Sequence, residues 1–101
     1  MIIRIWHGYT SRANADAYEH LLRSKILPGI HCVAGYQGSY LLRKAAGDEV
    51  EFITLTLWDS LDAIREFAGD DQSHAVVPEE ARKLLARFDQ RSEHYEATWC
   101  P

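Results

Sequence analysis

The segment Val50-Glu51-Phe52-Ile53-Thr54-Leu55-Thr56-Leu57-Trp58 has Phe52, Thr54, Thr56 and Trp58 on one face and Ile53, Leu55 and Leu57 on the other. Successive residues of a strand point to opposite sides, so this pattern predicts a central strand that needs cover on both faces. The polar pair Asp59-Ser60 that follows is suited to starting a helix. Ile2 to Tyr9 repeats the pattern, with Ile3, Ile5 and His7 against Ile2, Arg4 and Trp6, and predicts the opening strand. Tyr36 to Arg43 alternates with a more polar second face, which predicts an edge strand. Lys44 to Asp48 has the composition of a hairpin loop leading into the central strand, and Glu93 to Trp99 predicts a closing strand.

Between these strands the apolar spacing becomes helical. Tyr18, Leu21, Leu22 and Ile26 form one stripe behind the candidate caps Thr10, Ser11 and Asn14, and Pro28-Gly29 ends it. Leu61, Ile64, Phe67 and Ala68 form a second stripe behind Ser60, and residues 69–74 break the periodicity. Pro78 opens a last helix, with Ala81, Leu84, Leu85 and Phe88 turned inward. The order strand, helix, strand, strand, helix, strand defines an α+β, ferredoxin-like split βαβ fold with a four-stranded antiparallel sheet and its helices on one face. Its opposite face would then be bare and apolar. A second copy covering it, sheet to sheet, predicts an obligate homodimer.

Composition narrows the class. A chain of 101 residues, 47% of them hydrophobic, makes one domain over residues 1–101 with a core that needs no covalent staples. Charges are interspersed and sum to −4, which argues against nucleic acid or an anionic membrane as partner. Arg4 and His7 interrupt any leader-like apolar core and no window is long enough to span a membrane, so a cytoplasmic location is expected. Cys32 and Cys100 match neither a zinc spacing nor a redox pair, and are expected as free thiols.

Five histidines carry most of the candidate chemistry: His7, His20, His31, His74 and His94. Antiparallel pairing of the first and last strands predicts that His7 and His94 approach across the ladder, with Glu96 beside them. Two imidazoles near a carboxylate suit general base catalysis near neutral pH, or a divalent metal; a structural His94 and a core-lining His7 account for the same pattern. No HxH or HExxH spacing is present, and no metal site is expected. His74 lies in the broken stretch, where loops cover clefts. Trp6, Trp58, Phe67, Tyr36 and Tyr40 suit the lining of a planar-ligand site, and equally plain core or interface. Arg4 needs a partner if buried; an interface ion pair with Glu51 or Glu96 is expected ahead of the alternative, an anion-binding role.

The opening strand, Thr56-Leu57-Trp58-Asp59-Ser60-Leu61 followed by Phe67, the loop with His74 and the closing His94-Tyr95-Glu96 together resemble the antibiotic biosynthesis monooxygenase (ABM) family of dimeric α+β barrels. The resemblance covers nearly the whole chain. It implies a pocket between helices and sheet, and an oxygenase needing neither metal nor flavin. In such enzymes a deprotonated polycyclic phenol supplies its own electrons to dioxygen and becomes a quinone. On that basis His7 or His74 is the expected base, Trp58 a wall or donor, and Phe67, Tyr40 and His94 further substrate contacts. Haem-degrading relatives share the Trp-x-Ser turn but use an asparagine, a tryptophan and a histidine ligand where this chain has His7, Phe67 and a position near Val77, so haem degradation is not the expected activity. The alternatives are a non-enzymatic small-molecule binder or stress-related accessory protein, and a ligand-free structural domain.

Overall fold

A computed structural model describes residues 1–100. Two long strands, β1 (Ile2–Ser11) and β3 (Glu49–Trp58), pair antiparallel from Ile2 opposite Trp58 to Ser11 opposite Glu49. β2 (Tyr36–Ala46) flanks β3, and the short strands β4 (Leu85–Phe88) and β5 (Glu93–Glu96) both pair with the other edge of β1. After β1 the chain runs through α1 (Arg12–Leu21), a π-helical turn (Leu22–Ile26) and α2 (Leu27–Ile30); α3 (Leu61–Ala68) follows β3 and the single turn α4 (Glu79–Arg82) precedes β4. The helices cover one face of the sheet, so the split βαβ expectation holds.

The helices start where side-chain oxygens can satisfy free backbone donors. Ser11 accepts from the Asn14 N–H and Ser60 from the Ala63 N–H, each at 3.2 Å. Of the three caps expected for the first helix, the serine is the one that performs the role. The β2–β3 hairpin is tighter than expected: β2 continues to Ala46, leaving a turn at Gly47-Asp48 in which Gly47 has φ 66, a value glycine adopts without steric cost.

The last quarter of the chain differs from the sequence-based expectation. Instead of a helix through Phe88 and one closing strand, a single helical turn is followed by two short strands, giving five strands rather than four. β5 takes the Ile2–Ile5 end of β1, opposite Glu96 to Glu93, and β4 takes Gly8 to Thr10, with a register shift at Tyr9/Thr10. Leu85 and Phe88 share a face in a helix, and also in a strand once the register shift at Tyr9/Thr10 sets them opposite Thr10 and Gly8. The long unpaired edge of β1 decides between them, because strand pairing satisfies its exposed N–H and C=O groups.

Register also settles which residues share a face. Ile2, Arg4, Trp6, Gly8 and Thr10 lie under the helices opposite Trp58, Thr56, Thr54, Phe52 and Val50, whereas Ile3, Ile5, Ile53, Leu55 and Leu57 line the uncovered face. The core on the helix side has two parts. One gathers Ala15, Tyr18, Leu22, Val50, Phe52 and Ala81, the other Ile30, Trp58, Ala63 and Ile64.

Gly35, at φ 89, brings the chain close against α3: an added Cβ would lie 2.5 Å from the Ala63 Cβ. Gly35→Ala is expected to lower stability by about 2–4 kcal/mol, backbone strain and overpacking together, read from the urea midpoint at unchanged m-value.

Candidate functional site

The two halves of the core are separated by a polar band. On the helix-covered face, the rung Arg4 opposite Thr56 and the rung Trp6 opposite Thr54 lie between the aliphatic and aromatic rungs at either end. No aliphatic side chain fills the space above these rungs. The result is a cavity of about 70 Å³, open at one side, floored by Arg4, Trp6, Thr54 and Thr56. Tyr18, Leu22, Ile26 and Leu27 of the first helical run roof it, and Phe67, Val76, Val77 and Ser92 close its sides. The π-helical turn supplies Leu22 and Ile26 at its two ends, so the widened turn forms part of the cavity roof.

Arg4 is 4% exposed. It donates through Nη1 to the main-chain carbonyl of Gln72 and through Nη2 to that of His74 at 2.8 Å, with the Phe67 ring 5.7 Å from its Cζ. Its Nη1 also lies 2.9 Å from His94 Nε2. A guanidinium has no acceptor, so Nε2 must accept and the His94 proton sits on Nδ1. Burial brings the guanidinium down to about 10, which leaves it charged at neutral pH. His94 is lowered from its ordinary value by burial first and by the Arg4 charge second, and so stays neutral.

Trp58, fully buried, stands behind the cavity wall. Its Nε1 donates to Thr56 Oγ1 at 2.8 Å, and its ring packs against Tyr36 and Phe67 with centroids 5.4 Å away in each case. It thereby orients two residues that do line the cavity, Thr56 and Phe67.

The structure divides the residues singled out in the sequence. Phe67 lines the cavity, and Trp58 and His94 lie against residues that do. His7 does not meet His94. β5 places His94 opposite Arg4, three positions from His7 and therefore on the other face of the sheet, so the expected imidazole pair does not form. His7 instead lies opposite Ile53 on the uncovered face, its Nδ1 2.9 Å from Glu51 Oε2. Tyr40, 61% exposed, is on that same face opposite Leu55. The His74 side chain is exposed, and its contribution to the site is the carbonyl that holds Arg4. Glu51 and Glu96 are likewise not the partners of Arg4; main-chain carbonyls and an imidazole take that place.

Trp6, Thr54, Thr56 and Ser92 were absent from the sequence-derived set of substrate contacts, with Trp6 noted only as a possible aromatic lining. The available signal was Arg4 itself, a charge on the face that also carries the aromatics and threonines. Together these groups offer flat apolar walls, three hydroxyls and unused guanidinium N–H groups to a ligand.

No protein-family model and no curated protein matches the chain. Solved structures do. A protein from Deinococcus radiodurans, provisionally described as an antibiotic biosynthesis monooxygenase, aligns over 100% of this chain and 96% of its own at TM-score 0.72 and 16% identity. SnoaB, a cofactor-independent oxygenase from Streptomyces nogalater, aligns over 98% of this chain and 95% of its own at 0.64 and 18%. The heme-degrader MhuD from Mycobacterium tuberculosis, whose structure holds two hemes in its active site, aligns over 100% and 99% at 0.64 and 18%. The chain therefore has the fold of the antibiotic biosynthesis monooxygenases, and identities this low establish that fold alone.

Haem does not fit the residues present. Among the described residues the cavity lining contains no histidine or cysteine, and burial raises the Tyr18 phenol well above its ordinary value, which keeps it protonated and a poor iron ligand.

The lowered His94 value has a stability consequence. Below its ordinary value of 6.5 the unfolded chain binds a proton that the folded one rejects, so stability is whole above that pH and falls as pH drops toward the folded value. His94→Gln is expected to flatten this acidic slope, measured as urea midpoints at successive pH values between neutrality and the onset of general acid unfolding.

Proposed function

We propose that the protein is a small cofactor-independent monooxygenase acting on an aromatic or quinone-like compound seated between the helices and the sheet. The observation that carries this is the aromatic-walled cavity over the Arg4 and Trp6 rungs, in a fold shared with a cofactor-independent oxygenase. Chemistry of this kind asks little of a protein. An ionised phenol passes an electron to dioxygen, the two radicals join at a ring carbon, and loss of water from the hydroperoxide leaves a quinone. One oxygen atom ends in the new carbonyl and the other in water.

The protein's part is to hold the ring, keep bulk water from the radicals and donate to the oxygens. Trp6 and Phe67 supply walls, and Thr54, Thr56 and Ser92 supply hydroxyls. Of the histidines first considered as base, His74 borders the site through its backbone and His7 lies beyond the sheet, so His94 is the imidazole on the correct face. A second reading, a binding protein without turnover, is favoured by one fact: the lining holds no histidine or carboxylate free to move a proton.

The functional unit is a homodimer closed sheet to sheet. Support comes from the uncovered face, where Tyr40, Leu42 and Tyr95 are 61%, 45% and 52% exposed around Ile5, Ile53 and Leu55. A second copy presents the same apolar surface about a two-fold axis and covers both. The exposed free thiols Cys32 and Cys100 support a reducing, cytoplasmic location.

Dioxygen uptake with hydroxylated one-, two- and three-ring phenols is expected to show turnover, and Phe67→Ala to lower it by about tenfold or more through loss of ring positioning. Binding of these phenols with no uptake by any of them would select the non-enzymatic reading. Leu55→Arg places a charge at the centre of the uncovered face. It is expected to shift the light-scattering mass from twice 11.6 kDa to 11.6 kDa, and a wild-type monomer would rule out the dimer.

A further inference from the structure

Arg4 is a buried cation without a counter-charge. No carboxylate lies within ion-pairing distance of it among the described residues, and all its partners are neutral: two main-chain carbonyls and the imidazole of His94. The carboxylates along these strands are placed elsewhere: Glu93, opposite Ile5, is exposed and accepts from the Tyr95 hydroxyl, Glu51 is on the other face with His7, and Glu96 is exposed at the end of β5. The cavity lining repeats the imbalance, since Arg4 is its one charged member among the described residues. Two of the guanidinium's N–H groups, the Nε–H and one on Nη2, make no hydrogen bond among the described residues. A buried charge is costly unless paired, and carbonyl dipoles compensate it in part.

We propose that Arg4 makes this cavity a receptor for a small aromatic anion, a ring whose carboxylate or ionised phenol oxygen accepts from the free N–H groups of the guanidinium. This deepens the functional reading above and rests on the cavity being a ligand site. The geometry suits such a molecule. The Arg4 Cζ lies over the Phe67 ring, 5.7 Å from its centroid, Trp6 lies two residues along β1 on the same face, and Thr56 stands directly opposite on β3. A planar oxyanion receives two parallel N–H groups from arginine better than from any other side chain. For a phenol, the same charge favours the ionised form, so the site selects an already deprotonated substrate and needs no dedicated base beside it.

The test compares matched probes on the intact protein at neutral pH. 2-Naphthoate and 2-naphthamide share size and shape and differ in charge. Quenching of tryptophan fluorescence is expected to show the acid bound about tenfold or more tighter than the amide, the range of a charge-assisted hydrogen bond. In Arg4→Met that preference is expected to vanish while the amide still binds, and Arg4→Lys to restore part of it. In a second arm, 4-nitrophenol near half-ionisation should gain phenolate absorbance on binding to wild-type protein but not to Arg4→Met, which separates phenolate from carboxylate recognition.

Equal binding of acid and amide by the wild-type protein overturns this proposal and leaves the ligand-site reading standing. Binding of neither overturns both. An arginine that only pins the Gln72–His74 loop would lower the melting temperature in both variants and leave the acid-to-amide ratio unchanged, and that result also overturns the proposal.

Discussion

A guanidinium held out of water in the middle of the central strand pair sets the terms for the rest of the molecule. Arg4 cannot be covered by aliphatic side chains without stranding its charge, so the helices that close over the sheet leave a gap at its level. Its bonds to the carbonyls of Gln72 and His74 draw an otherwise irregular stretch down onto the sheet. That stretch then carries Val76 and Val77 into the cavity wall, and Ala75 and Ser92 into burial. Sheet, loop and cavity are thus one arrangement, and its common point is a single side chain on β1.

The two faces of the sheet divide the work. The residues under the helices include the polar band and its aromatic neighbours, where a ligand can be held. The uncovered side carries Ile3, Ile5, Ile53, Leu55 and Leu57 at its centre, with His7–Glu51 and Arg87–Glu49 as polar pairs among and beside them. Each strand residue belongs to one side or the other by its parity, so the sequence writes both surfaces at once, interleaved.

This interleaving explains what was legible beforehand. Period-two alternation in Ile2–Tyr9 and Val50–Trp58 is a direct image of strand geometry, and those strands appear where the pattern places them. The serines before α1 and α3 are equally direct, since capping is chemistry local to a few residues. The relation of His7 to His94 is not local. It depends on the offset between β1 and β5, and a shift of one residue exchanges the faces. Leu85 and Phe88 fit a helix directly and a strand only through a register shift, and their choice rests on an open edge far away in sequence. Main-chain carbonyls have no letter in the sequence, so two of the three partners of Arg4 could not be read from it.

The π-helical turn over the cavity has one residue more per turn than the α-helix around it. Deleting a single residue there would return the helix to regular winding and shift Ile26 and Leu27 relative to the rest of the cavity roof. Insertions and deletions of one codon in this short stretch thus give an evolving lineage a way to retune chamber size without disturbing the sheet beneath.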